Sequence, residues 1–85
     1  MKLNTQDAQT SFMEIALDEA VRAAERGEVP VGCVVVESTS GDIVGQSGNR
    51  VEAWKDPTAH AEMIALREAA KTLGNTRLPT CDLYV

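Results

Sequence analysis

The fold of this chain is decided by residues 56–63, which read DPTAHAEM. Asp56 is suited to cap a helix, and Pro57 fits a first helical turn because proline there loses no hydrogen bond that the helix needs. Thr58 is an alternative cap. Gly74 and Asn75 end the helix. Apolar residues recur between these limits at helical spacing and predict a buried stripe of Ala61, Ile64, Ala65, Ala69 and Leu73.

The start of this helix carries His60, the single histidine, two residues before Glu62. In the middle of a helix, residues two apart point roughly 200° from each other. In the first turn, side chains lean toward the N-terminus and are able to converge beyond the helix end. From this pair alone, the favoured interpretation is a cap or surface histidine followed by an acid that complements the helix dipole. A metal ligand at His60 with a proton-transferring carboxylate at Glu62 is the alternative interpretation.

A second helix is predicted upstream of this stretch. Ser11-Phe12-Met13-Glu14 has the pattern of a capping box, so we expect the helix to begin there. Gly27 is its expected end. Its apolar residues at helical spacing predict a buried stripe of Met13, Ala16, Leu17, Ala20 and Ala24.

The residues between the two helices predict a β-hairpin. Residues 30–36 are rich in valine and indicate a central strand, and residues 38–42 form the turn. Residues 43–49 return as an antiparallel neighbour, in which Gly45 and Gly48 mark a bulge or a close backbone approach. Residues 50–55 are expected to form an irregular loop.

A third strand begins at residues 82–85, after the second helix. The order helix, hairpin, helix, strand predicts an α/β fold, a three-layer α/β/α sandwich that is cut off within the third strand. The apolar edge at Leu83-Tyr84-Val85 would then favour pairing with another chain.

Composition limits the classes of function. The 85 residues allow one domain at most, and the net charge of −5 argues against binding nucleic acid through electrostatics alone. Two cysteines, Cys33 and Cys81, are too few for a disulfide framework, which favours a reducing compartment. The polar N-terminus is unlike a secretory signal, and no apolar stretch reaches membrane-spanning length. We therefore expect a cytoplasmic protein that does not enter a membrane.

Several motifs together resemble bacterial tRNA-specific adenosine deaminases. They are Glu28-Val29-Pro30-Val31-Gly32, Gly48-Asn49-Arg50, residues 56–62, Leu73-Gly74-Asn75, Arg77-Leu78 and Leu83-Tyr84-Val85. The resemblance implies a cytidine deaminase-like fold and a zinc-dependent enzyme, a homodimer, that hydrolyses the wobble adenosine of a tRNA anticodon stem-loop to inosine.

The resemblance also implies roles for individual residues. His60 would be a zinc ligand and Glu62 the proton donor. Asn49 would hydrogen-bond the target nucleoside, and Val29-Pro30-Val31 would form part of the pocket wall around the base. For Asn49, tolerance of an unusual backbone angle is the alternative.

One departure from the family pattern concerns zinc. The family's next segment carries Pro-Cys-x-x-Cys, whose cysteines complete the zinc site, and these 85 residues do not contain it. Residues 1–85 are therefore expected to be the N-terminal portion of a single deaminase domain that binds one Zn²⁺ per full-length chain. Alone, the chain is expected to be inactive. Cys33 is expected in the core and Cys81 has no counterpart ligand role, so neither is expected to replace the missing cysteines.

Two other functions stay open at this point. One is a free-base guanine or cytosine deaminase of the same fold, and the other is a non-catalytic fragment for dimerisation or complementation. Trp54 is a candidate for stacking on RNA, or for covering the core or a subunit contact. Arg50 and Lys55 would either contact phosphate or stay solvated.

Overall fold

The computed structural model describes residues 5–75 and 77–85. Three helices and three strands follow one another in the order that the sequence predicts, apart from a short additional helix after the hairpin. The elements are α1 (Thr5–Glu25), β1 (Gly32–Glu37), β2 (Asp42–Gly48), α2 (Val51–Trp54), α3 (Ala61–Leu73) and β3 (Cys81–Tyr84).

The three strands form an antiparallel sheet with β1 in the centre, in the order β2-β1-β3. Because side chains alternate along a strand, β1 contributes to two separate cores. Val34 and Val36 pack with Ala16 of α1 on one face. On the opposite face, Cys33 and Val35 pack with the alanines of α3. The predicted three-layer α/β/α arrangement is confirmed, and Cys33 lies in the core as expected.

Glycines in the strands let the helices approach the sheet closely. A Cβ atom at Gly32 would lie 2.0 Å from the backbone oxygen of Ala16 in α1. At Gly45 it would lie 2.1 Å from the backbone oxygen of Ala65 in α3. The predicted bulge is also present, because the β1–β2 register shifts between Val35 and Val36. The two helices therefore sit directly on the backbone of the sheet.

The predicted start of the first helix is wrong. The helix begins at Thr5, and Ser11 lies inside it. A capping serine needs non-helical backbone, so the capping box does not form. The predicted stripe is also partly wrong, because Leu17 is 59% exposed whereas Ala23 is fully buried. The contact of α1 with the glycines of the sheet, rather than the spacing of its largest side chains, determines the buried face.

The start of α3 and the loop before it also differ from the sequence expectation. Neither Asp56 nor Thr58 caps the helix, since the N-cap is His60. The expected irregular loop contains the helical turn α2. In α3, the buried residues are Ala61, Ala65 and Ala69, whereas Leu73 is 41% exposed. Gly74 ends the helix in a left-handed conformation, as predicted.

The third strand forms one edge of the sheet. Leu83 and Val85 are 45% and 55% exposed, which confirms the predicted apolar edge. Within the described ranges, no helix has the length and apolar character needed to cross a bilayer.

Candidate functional site

The candidate site begins at the N-terminus of α3. His60 is the N-cap residue, with extended backbone (φ −76°, ψ 150°), and its carbonyl accepts the first helical hydrogen bond from Ile64 at 3.1 Å. Its ring is exposed and makes no capping hydrogen bond within residues 5–75 and 77–85. Glu62 follows in the first turn and is half-buried. The exposed imidazole is compatible with both interpretations of His60, as a cap or surface residue and as a ligand.

Asn49 caps this helix from the end of β2. Its side-chain Oδ1 accepts a hydrogen bond of 2.7 Å from the backbone N–H of Ala61, and Asn49 is 4% exposed. Because a backbone N–H only donates, the atom that faces it must be Oδ1, and Nδ2 points elsewhere as a donor. Asn49 is thus hydrogen-bonded to the residue between His60 and Glu62, and this bond fixes the orientation of its side-chain amide.

The backbone of Asn49 is held by the segment that precedes β1. Its N–H donates to the carbonyl of Val31 at 3.1 Å. Its carbonyl accepts from Nη2 of Arg26 at 3.2 Å. A further bond of 3.0 Å from the N–H of Arg50 to the carbonyl of Ala59 ties the same segment to the residues before α3. The site is therefore assembled from three separate stretches of chain.

A buried carboxylate fixes α2 next to this site. Glu28 is 6% exposed, and its two oxygens accept hydrogen bonds from the backbone N–H groups of Glu52 at 3.0 Å and Ala53 at 2.8 Å. These are amides of the first turn of α2, which carries no capping side chain of its own. The bond from Glu52, with that from Ala53, lowers the pKa of Glu28. Glu28 therefore acts as the cap of a helix 24 residues away.

The turn before α3 is closed by Asp56. Its Oδ1 accepts hydrogen bonds from the N–H of Thr58 at 2.8 Å and from the Thr58 hydroxyl at 2.7 Å. The hydroxyl bond is the main cause of a lowered pKa at Asp56. Asp56 and Thr58 therefore order the approach to His60 instead of capping the helix.

The structure brings together some of the residues predicted for the site and not others. Asn49 is hydrogen-bonded to the carbonyl of Val31 and to the N–H of Ala61, the residue between His60 and Glu62 in the sequence. Val29 is 66% exposed. Pro30, with Val31, borders a separate apolar cleft of about 320 Å³ between β1 and α1 that also includes Val85. The pocket wall at Val29-Pro30-Val31 therefore stays a prediction.

Trp54 lies near the site but does not cover the core. Its side chain is 52% exposed. The guanidinium carbon of Arg50 lies 5.9 Å from the centroid of its ring, within the range of a cation–π contact. This exposure argues against covering the core and is compatible with stacking on RNA or a subunit contact.

The cysteines do not complement His60 as a metal site. Burial, with a smaller contribution from the Glu62 carboxylate, raises the pKa of the Cys33 thiol to about 11, whereas metals bind the thiolate. Cys81 pairs with Glu37 at the far end of β1. That strand has six residues, which span about 20 Å at roughly 3.3 Å per residue. Across the described ranges, no group of three or more His, Cys, Asp or Glu residues is arranged to hold a metal ion.

Reasoning from the sequence missed two features of this site. Glu28 was noted only as part of a motif, and the capping of α3 by Asn49 was not anticipated. Both contacts join residues 12 to 25 positions apart. Neither α2 nor α3 has a capping side chain at its own N-cap. The first amides of both helices therefore need hydrogen-bond acceptors from other parts of the chain.

Comparison with known proteins begins with the family models. The family described as the cytidine and deoxycytidylate deaminase zinc-binding region matches residues 6–85. The chain is also 51% identical over 74 residues to the tRNA-specific adenosine deaminase of Aquifex aeolicus (strain VF5). The matched region covers 87% of this chain and 48% of the relative.

A second relative has the same identity and a similar coverage. The tRNA-specific adenosine deaminase of Agrobacterium fabrum is 51% identical over 77 residues, covering 91% of this chain and 49% of the relative. The chain therefore spans about half the length of these curated relatives.

Solved structures share the fold. One, from a study of A-to-I editing by tRNA:A34 deaminases at the wobble position of transfer RNA, has a TM-score of 0.84 and 50% identity over 89% of this chain and 57% of that chain. A guanine deaminase from Bacillus subtilis has a TM-score of 0.82 and 36% identity over 96% of this chain and 49% of that chain.

Proposed function

This chain belongs to the family of the cytidine and deoxycytidylate deaminase zinc-binding region, and we propose that it forms the first half of a deaminase domain that converts the wobble adenosine of tRNA to inosine. The observation that carries the proposal is the arrangement at the start of α3, where Asn49 caps the helix between His60 and Glu62. The substrate class is supported by relatives that are 51% identical and are named as tRNA-specific adenosine deaminases.

We propose that His60 is one ligand of a single Zn²⁺. The exposed ring at the helix N-terminus fits that role, and the buried Cys33 thiol does not. We propose that the other two protein ligands come from a Pro-Cys-x-x-Cys segment outside these 85 residues. When bound, zinc supplies Lewis-acid activation of the attacking water.

Glu62 is the proposed proton carrier. In hydrolytic deamination, a bond forms between the water oxygen and C6 of the base, and the bond from C6 to the amino nitrogen breaks, which releases ammonia. A Glu62 oxygen takes one proton from the attacking water and delivers it to the ring nitrogen N1, and it then takes the second proton from the hydroxyl formed at C6 and delivers it to the departing amine, which leaves a carbonyl at C6. Glu62 lies half-buried in the first turn of α3, two residues after His60.

Asn49 and Val31 are the proposed contacts to the target nucleoside. Because Oδ1 of Asn49 is held by Ala61, its Nδ2 is the group that donates to the substrate. Val31, whose carbonyl binds the Asn49 N–H, would place the adjoining Val29-Pro30-Val31 wall beside the base. This pairs a fixed donor with an apolar surface, which is the usual composition of a small-molecule pocket.

The proposed partners follow from the proposed reaction. The substrate is a tRNA anticodon stem-loop in the cytoplasm, and the working unit is a homodimer. A net charge of −5 on this chain means that most of the phosphate-binding charge must come from the remainder of the domain or from the second subunit.

The test uses a completed protein, which we define as this chain joined to the part of the Aquifex aeolicus relative that the sequence match leaves uncovered. Inosine is measured on an anticodon stem-loop with adenosine at the wobble position. We expect turnover that Glu62→Gln reduces by about 10²–10⁴-fold, because the amide cannot carry a proton. Glu68→Gln, on an exposed position of the same helix, is the matched control and should leave turnover unchanged. Normal turnover in Glu62→Gln would refute the proposal.

Free guanine is the alternative substrate, since the Bacillus subtilis guanine deaminase has nearly the same fold over this part. The same completed protein is assayed with free guanine and free cytosine. Turnover of a free base without turnover of the stem-loop would replace the proposed substrate. A folded protein that binds no zinc and turns over none of these substrates would indicate a non-catalytic role.

A further inference from the structure

Two segments that are distant in sequence are joined by four hydrogen bonds beside the site. Residues 26–31 precede β1, and residues 49–53 follow β2. Two of the bonds hold the backbone of Asn49, through Arg26 and the carbonyl of Val31. The other two run from the α2 amides to the carboxylate of Glu28, at 3.0 and 2.8 Å.

Glu28 provides the strongest of these contacts. Its hydrogen bonds are charge-assisted, because an ionised carboxylate accepts from backbone amides at a helix N-terminus. It is also the only acid among the described core residues that are less than 9% exposed. The Glu52 amide, then the Ala53 amide and the charges of Arg26 and Arg50, lower its pKa. Leaving a carboxylate with these two amide partners unpaired is unfavourable, so it holds its partners firmly.

The effect of this contact reaches the start of α3 through Asn49. α2 begins at Val51, two residues after Asn49, so fixing its first amides restricts the backbone from which the Asn49 side chain extends. That side chain makes a 2.7 Å bond to Ala61, which lies between His60 and Glu62. A displacement of α2 would therefore change both the cap of α3 and the direction of Asn49 Nδ2.

We propose that Glu28 is the positioning residue of this site, whose carboxylate holds α2 so that Asn49 presents Nδ2 to the target nucleoside while Oδ1 caps α3. The role of Asn49 toward the nucleoside rests on the proposed function. The positioning of Asn49 and Ala61 by Glu28 does not, because it concerns contacts within the chain.

Two measurements on the completed protein test the proposal. The first is the amide proton exchange rate of Ala61, Glu52 and Ala53 by NMR in Glu28→Ala, where we expect faster exchange at all three. The second is steady-state kinetics on the anticodon stem-loop. We expect Glu28→Ala to raise KM roughly three- to tenfold, the effect of weakening one hydrogen bond to the substrate. A variant that is merely less folded would lower the apparent kcat without raising KM.

Glu37→Ala is the matched control. Glu37 also accepts hydrogen bonds from two backbone amides, but at the other end of β1. We expect it to leave both KM and the exchange of Ala61 unchanged. Equal effects of Glu28→Ala and Glu37→Ala on KM and on Ala61 exchange would overturn the proposal.

A conservative variant covers the case in which Glu28→Ala does not fold. Glu28→Gln keeps one carbonyl oxygen, so we expect it to retain one of the two amide bonds and to give smaller changes in the same direction. No change at Ala61 in Glu28→Gln would also count against the proposal. If Ala61 exchange responds while the wild type shows no stem-loop turnover, the positioning role stands and the proposed function fails.

Discussion

At both ends of strand β1, side-chain oxygens accept hydrogen bonds from backbone amides, but the two ends differ in how far apart in the sequence these partners are. At the beginning of β1, which we call the site end, Glu28 and Asn49 bind backbone amides 12 to 25 residues away. At its last residue, which we call the turn end, Glu37 binds the amides of Thr39 and Ser40, two and three residues away.

This difference separates a part of the molecule that organises a site from a part that closes a hairpin. The amide contacts of Glu37 stabilise one turn. The contacts of Glu28 and Asn49 connect the segment before β1, α2 and α3, so their loss changes the relative positions of three elements. A deaminase-type site needs this connection, because no single element carries all of its groups.

The largest expected contrast in stability comes from glycine to alanine substitutions at the two ends. Gly32 lies against α1, and a Cβ there would be 2.0 Å from the backbone oxygen of Ala16, so we expect Gly32→Ala to lower the free energy of unfolding by about 3 kcal/mol. Gly41 lies in the turn with nothing within 4 Å of a Cβ, but its φ of +77° disfavours alanine, so we expect a loss of about 1 kcal/mol. Urea unfolding measures both. Equal losses would contradict the close packing of α1 on β1.

An intermediate contrast comes from the two side chains that bind distant backbone. Asn49→Ala leaves the buried N–H of Ala61 without its acceptor, and we expect a loss of about 2 kcal/mol. Ser38 donates a 2.7 Å bond to the carbonyl of Thr80 at an exposed position, so its replacement by alanine should cost about 0.5 kcal/mol because water takes over. Thermal and urea unfolding compare the two. A loss in Ser38→Ala as large as that in Asn49→Ala would show that the turn end is equally dependent on its side chains.

The smallest expected effect concerns acid. The Thr39 hydroxyl and amide, with smaller contributions from the side chains of Thr80 and Ser40, lower the pKa of Glu37 from 4.5 to about 2. Because the folded protein binds this proton more weakly than the unfolded chain, the stabilisation is complete above pH 4.5 and is lost as the pH falls toward 2. Carboxyl carbon NMR should give a midpoint near 2, and Glu37→Gln should remove this part of the pH dependence of unfolding. A midpoint near 4.5 would contradict these contacts.

The sequence predicts the local features of this fold well. The valine-rich run of β1, the glycine ends of α1 and α3, and the small residues Ala61, Ala65 and Ala69 each depend on neighbours along the chain, and they lead to the right layers. The resemblance to tRNA-specific adenosine deaminases names the family, and the family comparison confirms it.

The sequence does not reveal where helices start when the cap is distant. Ser11 and Asp56 have the right chemistry for caps, but tertiary contacts override this local preference. Asn49 caps α3 and Glu28 caps α2 from other elements. No periodicity reports a contact between residues so far apart. The helix starts are therefore where prediction fails, and they are also where the candidate site lies.

The most direct test of the central claim is the zinc coordination of the completed protein by X-ray absorption. The account predicts one zinc per chain, with one imidazole nitrogen and two sulfurs as protein ligands. His60→Ala should remove the nitrogen ligand, and Glu62→Gln should leave the ligand set unchanged while it abolishes inosine formation. Zinc that keeps its nitrogen ligand in His60→Ala would contradict the assignment of the start of α3 as the metal site.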